Sequence, residues 1–277
     1  MSTQRIHRTV SADGTEIAGR VVGQGPPVVL VHGASYCGET AWEAMLPHLT
    51  DQFTCFLPST RGRGLSADAQ QHSPRHSLED VVSFVDSIGQ PVPLFGWSAG
   101  GTNALGAAEQ STAVTAVVAY EPTVFEEIDE ETFAAMTDTL ARITEEVEQG
   151  RPAEGARLWS AFVCNDEELA AVVAHKRHEV AAPNIPADLR MIQNLDPTGP
   201  SPTDPAALAT ITVPVLVLEG EQTALSWMRR STRYLVDHVP DCAVRTVPGA
   251  GHAAPGLAPE VLARELAHFI ETQPARA

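Results

Sequence analysis

Leu94-Phe95-Gly96-Trp97-Ser98-Ala99-Gly100-Gly101 reads as the end of a buried strand, a very tight turn and the start of a helix. The small-residue run Thr102-Asn103-Ala104-Leu105-Gly106-Ala107-Ala108 then carries the helix on. In a Gly-x-Ser-x-Gly turn the serine takes a strained backbone conformation that projects its hydroxyl from the end of the sheet. The flanking glycines let strand and helix approach closely enough to make that turn. The helix N-terminus points its free N–H groups at whatever sits on Ser98. A nucleophile beside a ready-made anion site is what acyl transfer needs. The pentapeptide alone is also compatible with a Gly-rich turn holding an incidental serine, so the rest of the chain must decide.

On the N-terminal side, residues 4–10 and 15–22 alternate polar and apolar around Ala12-Asp13-Gly14, a hairpin signal. Val28-Val29-Leu30-Val31 is a continuous apolar run suited to a strand buried on both faces, and it ends in His32-Gly33-Ala34-Ser35. That Gly-rich bend is placed to supply a backbone N–H at the end of a parallel sheet. Thr40 to Leu49 has helical spacing, with Trp42, Met45, Leu46 and Leu49 on one face. Residues 53–57 form the next expected strand, followed by the turn-rich Pro58-Ser59-Thr60-Arg61-Gly62-Arg63-Gly64-Leu65-Ser66. Ser77, with Asp80 three residues on, is expected to cap the helix that leads to the 94–101 stretch.

On the C-terminal side, residues 114–119 are another buried strand, ending in Tyr120-Glu121-Pro122. The character then changes. From Val124 to about Asp204 the pattern is helical: 129–149, 153–163 and a helix capped by Asn165 and Glu168 that runs through Val180. Residues 197–202, Pro-Thr-Gly-Pro-Ser-Pro, read as a linker. Strand–helix alternation resumes with strands at 213–218 and 243–247, the loop Gly249-Ala250-Gly251-His252, and a closing helix at 259–272. Strand–helix units interrupted once by helices give an α/β class: a mostly parallel central sheet flanked by helices, with a helical cap.

The 277 residues suffice for a sizeable core with an inserted smaller unit. A formal net charge of -17 argues against nucleic acid and anionic membrane surfaces as partners. Cys37, Cys55, Cys164 and Cys242 have no C-x-x-C spacing, so neither a disulfide framework nor a metal site is expected. No apolar leader or membrane-length run is visible, and a cytoplasmic location is the expectation. Nothing in the sequence sets an oligomeric state.

In their order and spacing, His32-Gly33, Arg61-Gly62-Arg63-Gly64-Leu65-Ser66, Gly96-Trp97-Ser98-Ala99-Gly100 and Gly251-His252 resemble the α/β-hydrolase superfamily. The resemblance covers essentially the whole chain. It implies a core domain formed by 1–124 and 204–277, with 125–203 inserted as a cap over the active site. It also implies Ser98 as nucleophile, His252 as general base, and the backbone N–H groups of Ala34 and Ala99 as an oxyanion hole, with no cofactor. His32, Arg61 and Ser66 read as scaffolding.

The sequence departs from the family at the third catalytic position. The usual Asp belongs in the loop Glu219-Gly220-Glu221-Gln222-Thr223, where Thr223 stands instead. A hydroxyl cannot stabilise an imidazolium as a carboxylate does. Glu121, at the end of the strand after the nucleophile's helix, is the first replacement, a position used by relatives such as zearalenone-type lactonases. Pro122 is expected to hold Glu121 extended there. Glu219 and Glu221 are alternatives, and absence of any acid is a third.

The resulting expectation is a cofactor-independent serine hydrolase that cleaves a carboxylic ester or lactone of an apolar small molecule through an acyl-enzyme. Tyr36, Trp97, Trp159 and Phe162 are candidate substrate contacts, with Phe133, Met136, Leu158 and Met191 as further pocket-liners. Still open are C–C bond hydrolysis, acyl transfer, perhydrolase or natural-product tailoring chemistry, and a small-molecule receptor that has lost turnover.

Overall fold

A computed structural model describes residues 5–196 and 199–273, so Gln4 of the expected first strand and Pro197 and Thr198 of the expected linker lie outside the described residues. The strands are β1 (Arg5–Val10), β2 (Glu16–Gly23), β3 (Pro27–Val31), β4 (Thr54–Pro58), β5 (Val92–Trp97), β6 (Val114–Tyr120), β7 (Val215–Gly220) and β8 (Cys242–Val247). They form one eight-stranded sheet in the order β1-β2-β4-β3-β5-β6-β7-β8. β1 and β2 pair antiparallel, as do β2 and β4; every other neighbouring pair is parallel.

Alternation along the central strands divides the core. Leu30, Phe95, Val118 and Leu216 face one side, while Val29, Val31, Leu94, Val117 and Val217 face the other. Both faces must be covered, which is why these strands read as continuous apolar runs. The helices are α1 (Gly38–Ala41), α2 (Pro74–Ser87), α3 (Ala99–Gln110), α4 (Glu130–Glu148), α5 (Pro152–Val163), α6 (Asp166–Ala174), α7 (Arg177–Ala181), α8 (Ile185–Gln193), α9 (Pro205–Leu208), α10 (Ser226–His238), α11 (Ala254–Leu257) and α12 (Pro259–Thr272). α4 to α8 form the helical block inserted between β6 and β7.

Three local expectations are corrected. Residues 40–49 are not one helix: α1 stops at Ala41, and a 3-10 turn covers Leu46–His48. Trp42 leaves helical backbone at φ −110° and ψ 3°, with no glycine or proline at that break, and Pro47 lies inside the later 3-10 turn. Ser77 lies inside α2; the cap is Ser73, whose hydroxyl accepts from the His76 N–H at 3.3 Å, with Pro74 at the first helical position. The helix expected from Asn165 through Val180 breaks after Ala174, where Lys176 turns left-handed (φ 54°) and α7 begins anew. No glycine or proline marks that break.

Asp80 does something else. It is fully buried and takes the Arg61 guanidinium at 2.7 Å, with Arg61 itself 1% exposed. Arg61 also reaches Asp13 in the β1–β2 turn at 2.6 Å and the Gln71 carbonyl at 3.1 Å. One buried guanidinium thus ties the hairpin, the loop after β4 and α2 together, and it holds the Asp13 carboxyl well below the ordinary carboxylate range. Removing one partner strands the other charge in the interior. Asp80→Ala is therefore expected to cost about 3 kcal/mol of unfolding free energy, read from urea midpoints at unchanged slope.

Candidate active site

Ser98 leaves β5 at φ 55° and ψ −125°, outside the regions ordinary residues occupy, and α3 starts at the next residue. The flanking glycines are required: a Cβ at Gly96 would strike the Gly100 carbonyl, and a Cβ at Gly100 would strike the carbonyls of Val31 and His32. The turn is held by the Ser98 N–H, which donates to the Tyr120 carbonyl on β6 at 3.0 Å. β6 ends in a second strained turn. Glu121 sits at φ 42°, not extended as the following Pro122 suggested, and its N–H donates to the Leu218 carbonyl at 3.0 Å. Neighbour pairing across β5, β6 and β7 outweighs the local preference imposed by proline.

This turn aims the Glu121 side chain at the histidine loop. Glu121 Oε2 lies 2.8 Å from His252 Nδ1, and Oε1 accepts the Gly220 N–H at 3.0 Å. Both residues are buried, at 2% and 3% exposure. A carboxylate only accepts, so Nδ1 carries the proton and Nε2 presents its lone pair. The histidine backbone is held as well: Trp97 Nε1–H donates to the His252 carbonyl at 2.9 Å, and Tyr120 Oη–H donates to the Gly251 carbonyl at 2.5 Å. The Trp97 ring lies 5.8 Å from the imidazole.

The alternative acids are elsewhere. Glu219 pairs with Arg229 at 3.3 Å, and Glu221 accepts the Gly249 N–H at 2.8 Å. The loop that usually supplies the Asp gives the Gly220 N–H instead, and the Thr223 hydroxyl is buried without a partner. Ser98 and His252 are not hydrogen-bonded to each other here; such contacts commonly tighten only when substrate binds.

Neither Ala34 nor Ala99 spends its backbone N–H on another group among the described residues. The Ala34 loop is held from both sides. On the core side, His32 Nδ1–H donates to the Gly33 carbonyl at 2.8 Å and Nε2 accepts the Thr60 N–H at 3.2 Å. From the helical block, Asp188 on α8 accepts the Ser35 N–H at 2.7 Å and pairs with Arg63 at 2.5 Å, while Asn184 Nδ2–H reaches the Ser35 carbonyl at 3.3 Å.

A cavity of about 10 Å³, room for one water, adjoins Ala34 and Ser35 under the block. Trp159 lines it with Leu140, Ile143, Ile185, Leu189 and Ile192. Phe162 stacks beside Trp159 at 5.8 Å without lining it. Tyr36 and Trp97 pack on each other, 5.3 Å between rings, as buried support. Of the further pocket-liners, Phe133 is 53% exposed and Met191 accepts a weak Ser77 hydroxyl contact on α2 at 3.5 Å. Asp188 escaped sequence reading, and Glu168 was legible only as the partner of Asn165 in a helix cap. Each is a carboxylate on a helix surface pattern, and only the fold turns it inward.

The family enters on this geometry. The model of the "Alpha/beta hydrolase family" matches residues 28–265, so the chain belongs to that family and is a hydrolase. Among curated relatives, a 2-(acetamidomethylene)succinate hydrolase of Mesorhizobium japonicum is 25% identical, with 96% of this chain and 95% of that protein aligned. A pimeloyl-[acyl-carrier protein] methyl ester esterase of Stenotrophomonas maltophilia is 32% identical over 44% of this chain and 52% of that protein. Among solved structures, an α/β hydrolase from Sphaerobacter thermophilus aligns at 25% identity and TM-score 0.72, covering 95% of this chain and all of that one. An esterase from Rhodococcus sp. aligns at 21% identity and TM-score 0.75, covering 97% and 99%, and shares the fold. No helix among the described residues is long and apolar enough to cross a membrane.

Burial pushes the His32 ring down to about 3 from an ordinary 6.5, and the Arg63 charge adds to this. Between those limits the unfolded chain binds a proton that the folded chain refuses, so His32 withdraws stability as pH falls from 6.5 toward about 3. His32→Gln is expected to lose less of its urea midpoint than wild type between about pH 7 and about pH 4.5, each referred to its own neutral value.

Proposed function

We propose that the chain is a cofactor-independent serine hydrolase that cleaves a carboxylic ester or lactone of an apolar small molecule. The observation that carries this reading is the buried Glu121–His252 hydrogen bond at the same sheet end as the Ser98 turn. Ser98 Oγ attacks the carbonyl carbon while His252 Nε2 takes its proton. Glu121 stabilises the imidazolium and holds the tautomer. The Ala34 and Ala99 N–H groups receive the oxyanion; a single donor of this kind is commonly worth about 10²–10³ in turnover. The imidazolium then protonates the leaving alcohol, and water activated by His252 releases the acid.

The block from 125 to 203 acts as the cap. The apolar side chains beside Ala34 support an apolar acyl group, and Trp159 is the aromatic contact best placed for it. The Stenotrophomonas relative, named as a methyl ester esterase, supports ester chemistry.

A fluorophosphonate probe is expected to label wild type at Ser98, detected by peptide mass, and to leave Ser98→Ala unlabelled. With p-nitrophenyl esters of graded acyl length, Ser98→Ala and His252→Ala should each lose about 10⁴–10⁶ in kcat, and Glu121→Gln about 10² or more, with melting temperatures retained. A Glu121→Gln enzyme as fast as wild type would remove Glu121 from the mechanism. Labelling without turnover of any ester would favour a receptor.

A further inference from the structure

Glu168 is a second buried carboxylate on the histidine loop, and it comes from the cap. It sits at the third position of α6, where its N–H donates to Asn165 Oδ1 at 2.9 Å and its Oε2 accepts the Asn165 N–H at 3.3 Å. A capping box ordinarily lies on the surface, but this side chain is 6% exposed. Its Oε1 leaves the helix and accepts the Ala253 N–H at 2.8 Å, the residue after the catalytic histidine. The carboxyl group rests directly on Gly251, where a Cβ would overlap both oxygens. The segment 251–253 is thus clasped by one carboxylate from the core and one from the cap.

That arrangement is costly unless it serves a purpose. A buried carboxylate normally has a guanidinium or ammonium partner. Among the described residues Glu168 makes no ion pair; burial raises its carboxyl above the ordinary range, while the Ala253 and Asn165 N–H groups and the His252 ring act in the opposite direction. The surroundings add no compensating charge. Cys164, just after α5, and Tyr120, on β6, both have their acidities suppressed by burial and by the two carboxylates, so they remain neutral. The Arg177 guanidinium on α7 lies against Gly256 and over the Tyr36 ring.

Resting on the hydrolase reading above, we infer that Glu168 is a positioning residue through which the docked cap fixes the 251–253 loop and adds a second negative charge beside the His252 imidazole. Glu121 supplies tautomer and orientation through Nδ1. Glu168 touches neither ring nitrogen; it acts on the loop backbone and through space. Because it rides on α6, its charge reaches the ring only when cap and core are docked. The base is then strongest when the site is closed and water is excluded, and weaker when the cap lifts.

The test uses the full chain and needs no known substrate. The second-order rate of Ser98 modification by a fluorophosphonate is measured against pH, and the midpoint of its rise reports loss of the proton from the base. Glu168→Gln removes the charge and, with a single carbonyl oxygen, keeps an acceptor for the Ala253 N–H or for the Asn165 N–H but not for both. A negative charge near the ring favours the imidazolium, so removing it should move the midpoint down by about 1 pH unit and lower the high-pH plateau. Glu168→Asp keeps the charge with a shorter reach and should hold its midpoint within a few tenths of a unit of wild type, even if its plateau falls with the lost loop contact. A Glu168→Gln midpoint at the wild-type value, or a shift shared equally by Glu168→Asp, would overturn the inference and leave Glu168 a purely structural clasp. Absence of labelling in wild type would instead overturn the hydrolase reading itself.

Discussion

The geometry of the site depends on one constraint: neighbouring strands β5 and β6 must both end in backbone conformations that side chains disfavour. Ser98 and Glu121 each sit at positive φ, and each is held there by a hydrogen bond from its own N–H to the next strand over. Strain of about 1–3 kcal/mol per such residue persists only when the surroundings over-determine it. Here the parallel sheet does so, since β5, β6 and β7 are buried on both faces and locked in register. One strained turn lifts the serine hydroxyl and the other swings the carboxylate onto His252.

The second dependence is on the helical block. It touches the two loops that carry chemistry-bearing groups: Asp188 and Asn184 hold Ser35, beside the Ala34 N–H, and Glu168 holds Ala253, beside His252. Hydrogen bonds to charged groups are worth about 1.5–3 kcal/mol each, enough to make block position and loop geometry interdependent. The helical insertion is therefore part of the site's framework. Its Asp188 and Glu168 are not surface solubilisers, although Asp188 also satisfies the buried Arg63.

The sequence was most legible where geometry is local. Gly-x-Ser-x-Gly between an apolar run and a small-residue helix makes the strained turn at Ser98, continuous Val/Leu runs mark strands covered on both faces, and Asp13-Gly14 makes the expected hairpin turn. Misreadings arose where two local rules competed. Ser77 has a helix-cap pattern, but Ser73 followed by Pro74 is the stronger start signal. The stretch 40–49 breaks at Trp42 despite its helical spacing, although Trp42, Met45, Leu46 and Leu49 are all buried as that spacing implied. The left-handed Lys176 has no signal in its own or neighbouring residues. Phe133 fits the apolar face of α4, yet it meets solvent while Met136 and Ile143 farther along that face are buried.

By itself the sequence determined the order of strands and helices, the tight turn at Ser98, the histidine before the last helices, and a Thr at position 223. These follow from residue types acting on their immediate backbone neighbours. It put Glu121 first among three glutamates, with no acid at all as a further alternative. Only the tertiary structure placed Glu121 at Nδ1, sent Glu219 to Arg229 and Glu221 to Gly249, and brought Glu168 in from the helical block. Which carboxylate meets an imidazole 131 positions along the chain is set by strand order, register and the strained exit from β6. None of these is written in the few residues around any one glutamate.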